Sequence, residues 1–203
     1  LPLVERDNQS EKPLGYIDKY NNNIIFVSGN SRYIYSIDIS HNFKITPINN
    51  NLSSIISGYK NFIPSKFGIK DILIKNNFLY VSYTNEEQQG CYNLNILYAD
   101  LSHPSLNFKK LNFSNNKNCI YESDRFNPHA AGGRIQNLND SSIFLSYGSF
   151  SNFEKLIGDV GYFGKNILIN TEDLGVKVIS NGHRNVQGLY YDSEKNILLS
   201  SEH

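Results

Sequence analysis

Apolar residues in this chain fall in short runs separated by polar turns, and one arrangement of them recurs four times. Gly15-Tyr16-Ile17 leads across Asn21-Asn22-Asn23 to Ile24-Ile25-Phe26-Val27-Ser28, and Gly68-Ile69-Lys70 leads across Asn76-Asn77 to Phe78-Leu79-Tyr80-Val81-Ser82. The frame returns as Gly133-Arg134-Ile135, Asn139-Asp140-Ser141, Ile143-Phe144-Leu145-Ser146, and again as Gly188-Leu189-Tyr190, Ser193-Glu194-Lys195-Asn196, Ile197-Leu198-Leu199-Ser200. Each copy is a glycine, an apolar strand, a turn rich in residues that bond nearby backbone or tolerate positive φ, and a second apolar strand closing on serine. The pattern predicts four β-hairpins.

The closing serines at 28, 82, 146 and 200 lie 54, 64 and 54 residues apart, room for about four short strands per repeat. Further strand-like segments, Arg32–Asp38, Asn95–Asp100 and Gly164–Asn170, fill the intervals as third strands, and no stretch of ten or more residues carries a helical period. A propeller blade is usually a four-stranded antiparallel sheet. The expected class is therefore all-β, with residues 1–203 forming about four blades of a single β-propeller domain, truncated at both ends. The extra length of the third repeat lies before Gly133 and holds Cys119 and the loop Asp124-Arg125-Phe126-Asn127-Pro128-His129. Loops that lengthen on a regular scaffold are where function gathers.

Composition adds little that changes this. Tyr (14) and Phe (12) abound while Trp and Met are absent, which suits aromatic-rich strands. The abundant Asn fits turns, although an AT-rich genome explains it as well. Nineteen basic and nineteen acidic residues cancel, giving no electrostatic ground for a nucleic-acid partner or an anionic membrane. No apolar run approaches the roughly 20 residues that span a bilayer. Cys91 and Cys119 lack zinc-site spacing; they are able to form one bridge in an oxidising compartment, and the sequence leaves that open. The acceptor patterns at Asn8, Asn51, Asn112 and Asn139 are expected by chance in so Asn- and Ser-rich a chain, and His41 and His103 read as isolated surface residues.

The most specific segment is Gly182-His183-Arg184-Asn185-Val186-Gln187-Gly188-Leu189, followed by Tyr191-Asp192 and then Ser201-Glu202-His203. With His129-Ala130-Ala131-Gly132-Gly133-Arg134-Ile135 and the stretch Tyr162–Asn170, in that order along the chain, it resembles the aldose sugar and soluble glucose dehydrogenases that depend on pyrroloquinoline quinone (PQQ). That resemblance implies a six-bladed propeller, of which this chain covers about four blades, and a protein exported to the periplasm or secreted. It implies PQQ and calcium as cofactors, an aldose or oligosaccharide substrate, and an external electron acceptor. The implied reaction oxidises the anomeric C1 hydroxyl, with His129 as general base and hydride passing to the quinone. Arg184 and Asn185 are implied to bind the cofactor, Arg184 meeting negative charge on the reduced quinone. The calcium ligands are expected beyond His203, with Glu202-His203 opening their loop, and the fragment by itself is expected to be inactive.

The chain departs from the family pattern at three places. Val186 replaces the usual proline, His129 stands five residues before Arg134 where four is common, and Ser149 follows Tyr147-Gly148 where the family has an aspartate that orients the histidine. Read without the resemblance, His129 is a solvated loop residue, Gly182–Asn185 a tight turn at a blade end, and Gly132-Gly133 a place of close backbone approach. The competing reading is a non-catalytic propeller that binds a carbohydrate or a protein.

Overall fold

The computed structural model describes residues 15–29, 33–56, 68–113, 119–121, 126–152 and 161–203. Arg32, Asp124-Arg125, the acceptor pattern at Asn8 and Ser114 of the pattern at Asn112 lie outside them.

The hairpins form where the repeat places them. The first sheet runs β1 (Gly15–Tyr20), β2 (Asn23–Ser28), β3 (Ile34–Asp38), β4 (Lys44–Pro47), each strand antiparallel to the next. A short strand β5 (Asn49–Asn50) and a one-turn helix α1 (Leu52–Ile56) follow. The second sheet contains β6 (Ile69–Lys75), β7 (Phe78–Gln88) and β8 (Cys91–Asp100); after β9 (Ser105–Leu106), β10 (Lys109–Lys110) and β11 (Ile120–Tyr121) both pair with β8. The third sheet is β12 (Gly132–Asn139), β13 (Ser142–Tyr147), β14 (Lys165–Asn170), β15 (Val176–Asn181), and the fourth is the hairpin β16 (Val186–Asp192), β17 (Ile197–Glu202). Among the described residues helix is confined to α1 and a 3₁₀ turn at Pro128–Ala130. The outer strands β4, β10 and β15 escape the sequence pattern because each is exposed along much of its length and needs little apolar character.

The core lies between successive sheets, as in a propeller. Ile25, Val27 and Ile34 of the first sheet meet Ile72, Leu79, Val81 and Leu97 of the second. On the opposite face of the second sheet Tyr80, Leu94 and Ile96 meet Ile135, Ile143, Leu145, Ile167 and Ile169 of the third. Neighbours in sequence such as Tyr80 and Val81 thus point into different cores, the period-two alternation of a strand buried on both sides. The outward faces of the first and fourth sheets carry exposed apolar side chains, Ile17 on one and Tyr190 and Leu199 on the other.

Inner strands are fastened blade to blade by acids at one repeat position. Asp18, three residues after Gly15, accepts from the backbone N–H of Ile74 at 2.6 Å, and Asp71, three after Gly68, accepts from that of Ile135 at 3.1 Å. Burial raises the Asp71 carboxyl above its ordinary value against the lowering pull of Arg134. One closing serine does the same, Ser82 Oγ donating to the carbonyl of Gly133, while Ser146 Oγ, within the third sheet, accepts from the N–H of Arg134 at 2.9 Å.

Candidate active site

The segment before the third blade is held on both sides. A disulfide joins Cys91 to Cys119, settling the question the sequence left open, and β11 continues the attachment by pairing with β8. Next along the described chain, Phe126 is sandwiched between Tyr92 of the second blade and Phe150 of the third, at centroid distances of 4.5 and 5.4 Å. The loop is then laced to residues 148–150: Asn127 N–H donates to the Phe150 carbonyl at 2.8 Å, Phe150 N–H to Ala130 at 2.8 Å, and Gly148 N–H to Ala131 at 2.7 Å. A β-carbon on Gly148 would lie 2.3 Å from the Ala130 oxygen, so this approach requires glycine. Asn127 caps the 3₁₀ turn by accepting from the N–H of His129 at 3.0 Å.

His129 therefore sits on a tightly held backbone with its side chain exposed, and among the described residues its imidazole makes no hydrogen bond. Gly132 and Gly133 both have positive φ, 66° and 96°. The β12–β13 register slips between Gly132 and Ile135, a bulge at the place where the His129-to-Arg134 spacing is one longer than the family pattern.

The second loop, Gly182–Asn185, is organised by Glu202 from the end of β17. The carboxylate accepts from His183 Nδ1–H and, at 3.0 Å, from the backbone N–H of Arg184; the N–H of Asn185 donates to it as well. Burial alone would raise the Glu202 carboxyl, but these donors outweigh it and hold the pKa below the ordinary value. On the other side of the ring Asn166 Nδ2 donates to Ser180 Oγ at 3.2 Å, and Ser180 lies 2.7 Å from His183 Nε2. With Nε2 accepting from Ser180, Nδ1 carries the proton given to Glu202. His183 is thus a strut inside the loop.

The two loops meet. Asn185 Oδ1 accepts from the N–H of Gly132 at 3.2 Å and from Gln187 Nε2 at 2.7 Å, and Ser149 N–H donates to the Arg184 carbonyl at 2.9 Å. His129 and the adjacent pair Arg184 and Asn185, far from it in sequence, share one end of the inner strands. Arg184 is exposed there, and the Asn185 amide Nδ2 makes no hydrogen bond among the described residues. Ser149 is fully buried, and its hydroxyl donates to the Arg184 carbonyl at 3.2 Å. It serves the second loop and makes no hydrogen bond to the imidazole.

Two residues at this end escaped the sequence reading of their roles. Counting outward from the turn at 193–196 would set Glu202 opposite Gln187; a register shift between Val186 and Gly188 moves it opposite Val186, next to the loop it holds, where the sequence reading had given it to calcium. Lys70 breaks an apolar inner strand, and its ammonium reaches across to donate to the Pro128 carbonyl at 3.1 Å. Elsewhere, His41 and His103 are exposed as expected but not isolated: each faces an aspartate three residues earlier, Asp38 at 2.7 Å and Asp100 at 3.6 Å.

An exposed guanidinium and a side-chain amide, on a loop that meets the one carrying an exposed imidazole, suit a quinone dicarbonyl and its carboxylates, so the donor set fits PQQ. For a metal, no group of three or more His, Cys, Asp or Glu is gathered among the described residues, and Glu202 is engaged by its loop. Nor is any helix among them long and apolar enough to cross a membrane.

The family model for glucose/sorbosone dehydrogenases matches residues 43–203. Among solved structures, a glucose dehydrogenase aligns with TM-score 0.68 at 16% identity, covering 95% of this chain and 62% of that one. The apo form of the soluble aldose sugar dehydrogenase of Escherichia coli aligns at 0.65 with 15% identity, covering 95% and 57%. The PQQ-bound aldose sugar dehydrogenase of Streptomyces coelicolor aligns at 0.66 with 18% identity, covering 94% and 56%. At such identities the likeness shows the fold, an all-β propeller of which this chain supplies about four blades. The chain spans under two thirds of the length of these structures. A comparison with curated protein sequences finds no match.

Proposed function

The chain belongs to the glucose/sorbosone dehydrogenase family, and on that premise we propose that the protein of which it is part, a ring of six blades, oxidises an aldose at C1 with PQQ as cofactor. PQQ, when bound, would supply the two-electron acceptor for the sugar's hydride. His129 takes the anomeric hydroxyl proton onto its free imidazole, the task for which a neutral histidine is suited near neutral pH. Arg184 and Asn185 hold the quinone side, a fixed cationic fork and a neutral donor that need no rearrangement as charge develops. A single domain spanning 1–203 and an external electron acceptor belong to the same reading.

The observation that carries it is the bond from Gly132 N–H to Asn185 Oδ1, which brings the histidine loop and the Arg184–Asn185 loop to one place. The Cys91–Cys119 disulfide supports an exported protein, since such bonds persist in oxidising compartments. The test is dye-linked aldose oxidation by the complete protein with PQQ and calcium, beside His129→Ala. Sugar oxidation that needs PQQ and disappears in the variant is expected.

One observation favours a second reading, a carbohydrate-binding propeller without catalysis. Ser149 stands where a carboxylate would orient the base, and its hydroxyl is turned to the Arg184 carbonyl. A complete protein that binds sugar but neither binds PQQ nor oxidises any aldose would establish it.

A further inference from the structure

We infer that Lys70 is a positioning residue for His129, taking over from the second blade part of the support that a carboxylate at position 149 does not give. The inference rests on the assignment of His129 as base. Three contacts carry it. The Lys70 ammonium donates to the Pro128 carbonyl at 3.1 Å, the peptide oxygen immediately before His129. Its stem lies flat against Gly133: a β-carbon there would fall 2.3 Å from Lys70 Cβ and 2.8 Å from Cγ, so the missing side chain is what admits the lysine. In the opposite direction Arg134 Nη1 donates to the Lys70 carbonyl at 3.4 Å and faces Asp71 at 3.6 Å, so β6 is tied both to the loop before β12 and, within the bulge, to β12 itself.

These contacts bracket the segment 128–133, with one tie just before His129 and the other just after Gly132-Gly133. The ties to residues 148–150 hold this loop from within the third blade, and the anchored Pro128 carbonyl adds one from the second blade immediately before His129, narrowing the orientations open to that peptide. Lysine suits the task because its reach spans the gap between blades and because it stays a donor whether charged or neutral. Burial around the ammonium pulls its pKa down to about 8, in keeping with a group set into the inter-blade seam. The placement of a general base within a few tenths of an ångström matters, since a misplacement of about 1 Å can lower a rate ~100-fold.

The test compares Lys70→Met, Lys70→Arg and His129→Ala in the complete protein with PQQ and calcium. Lys70→Met keeps the stem and removes the donor; we expect kcat to fall about tenfold or more with the KM for sugar and PQQ affinity changed less than about twofold, and Lys70→Arg to recover most of kcat. In the same proteins without PQQ, the His129 ring signals in a ¹⁵N–¹H imidazole spectrum should broaden or split in Lys70→Met and return in Lys70→Arg. A Lys70→Met protein of lowered Tm but unchanged kcat and His129 signals would overturn the inference, leaving Lys70 a strut between blades. If His129→Ala still oxidises sugar, the base assignment fails instead, and the ring signals alone decide whether Lys70 orders the loop. Should Lys70→Met not fold, Lys70→Leu, which also lacks a donor, carries the same comparison.

Discussion

Glu202 accepts the backbone N–H of Arg184 at 3.0 Å, so the strand that closes the fourth hairpin holds the loop from which that hairpin begins. One carboxylate gathers His183 and the backbone of Arg184 and Asn185, and thereby sets the direction in which the Arg184 and Asn185 side chains leave the loop.

Glu202→Gln removes the charge while keeping the shape. It should weaken PQQ binding about tenfold and lower stability by roughly 1–3 kcal/mol, the range for losing a charged partner of several donors. Titration of the complete protein with PQQ and urea unfolding check the two effects; unchanged affinity would show that the loop holds its form without the carboxylate.

Restoring the family's acid by Ser149→Asp should destabilise this chain. Position 149 is fully buried against the Arg184 carbonyl, which would face a carboxylate oxygen in place of a donor. We expect a loss of about 3 kcal/mol at neutral pH. Desolvation raises the folded-state pKa of the new acid, so the folded form binds the extra proton and the loss should shrink as pH falls toward the ordinary aspartate range. Urea unfolding at pH 5 and pH 7.5 reads the difference.

Lys70 should leave a mark on stability at alkaline pH. Its folded value near 8 lies below the ordinary 10.5, so between these the unfolded chain binds more protons and stability rises with pH. The slope is at most about 1.4 kcal/mol per pH unit, reduced by the partial solvation of the lysine. Tyr83 and Tyr147, raised by burial, act in the opposite sense only above the ordinary tyrosine value of 10, which leaves pH 8 to 10 as the window. Lys70→Met should reduce this slope without abolishing it, since Lys75, also lowered by burial, acts in the same sense; Lys75, Asp71 and Tyr16, and Arg134 and His129 from the third blade, remain in both proteins, so the difference belongs to Lys70.

The Cys91–Cys119 disulfide closes a sequence separation of 28 residues just before the segment that leads to His129. The double serine variant should lose about 3–4 kcal/mol of stability, the loop-closure entropy for that length. Thermal unfolding of oxidised protein against the variant checks the size.

Much of the blade pattern is legible in the residues. Period-two alternation and Asn-rich turns mark the four hairpins because a strand buried on one or both faces must alternate or run apolar, and a tight turn must accept unusual backbone angles, as Asn21, Asn76 and Asn77 do with positive φ. The outer strands carried no such mark, since their side chains meet water. The motif residues His129, Arg184 and Asn185 were likewise readable as types, by resemblance and not by any local rule.

What the sequence by itself determined is therefore local: the hairpins, their order, and the two loops rich in glycine that interrupt them. Tertiary structure alone decided which atoms those loops present to each other. That Asn185 receives Gly132, that Ser149 turns to Arg184, and that Lys70 reaches Pro128 from another blade depend on how neighbouring sheets pack. Residues 53, 35 and 58 apart meet there because burying the apolar faces between blades brings the starts of the inner strands together, and no pattern within a single repeat encodes that distance.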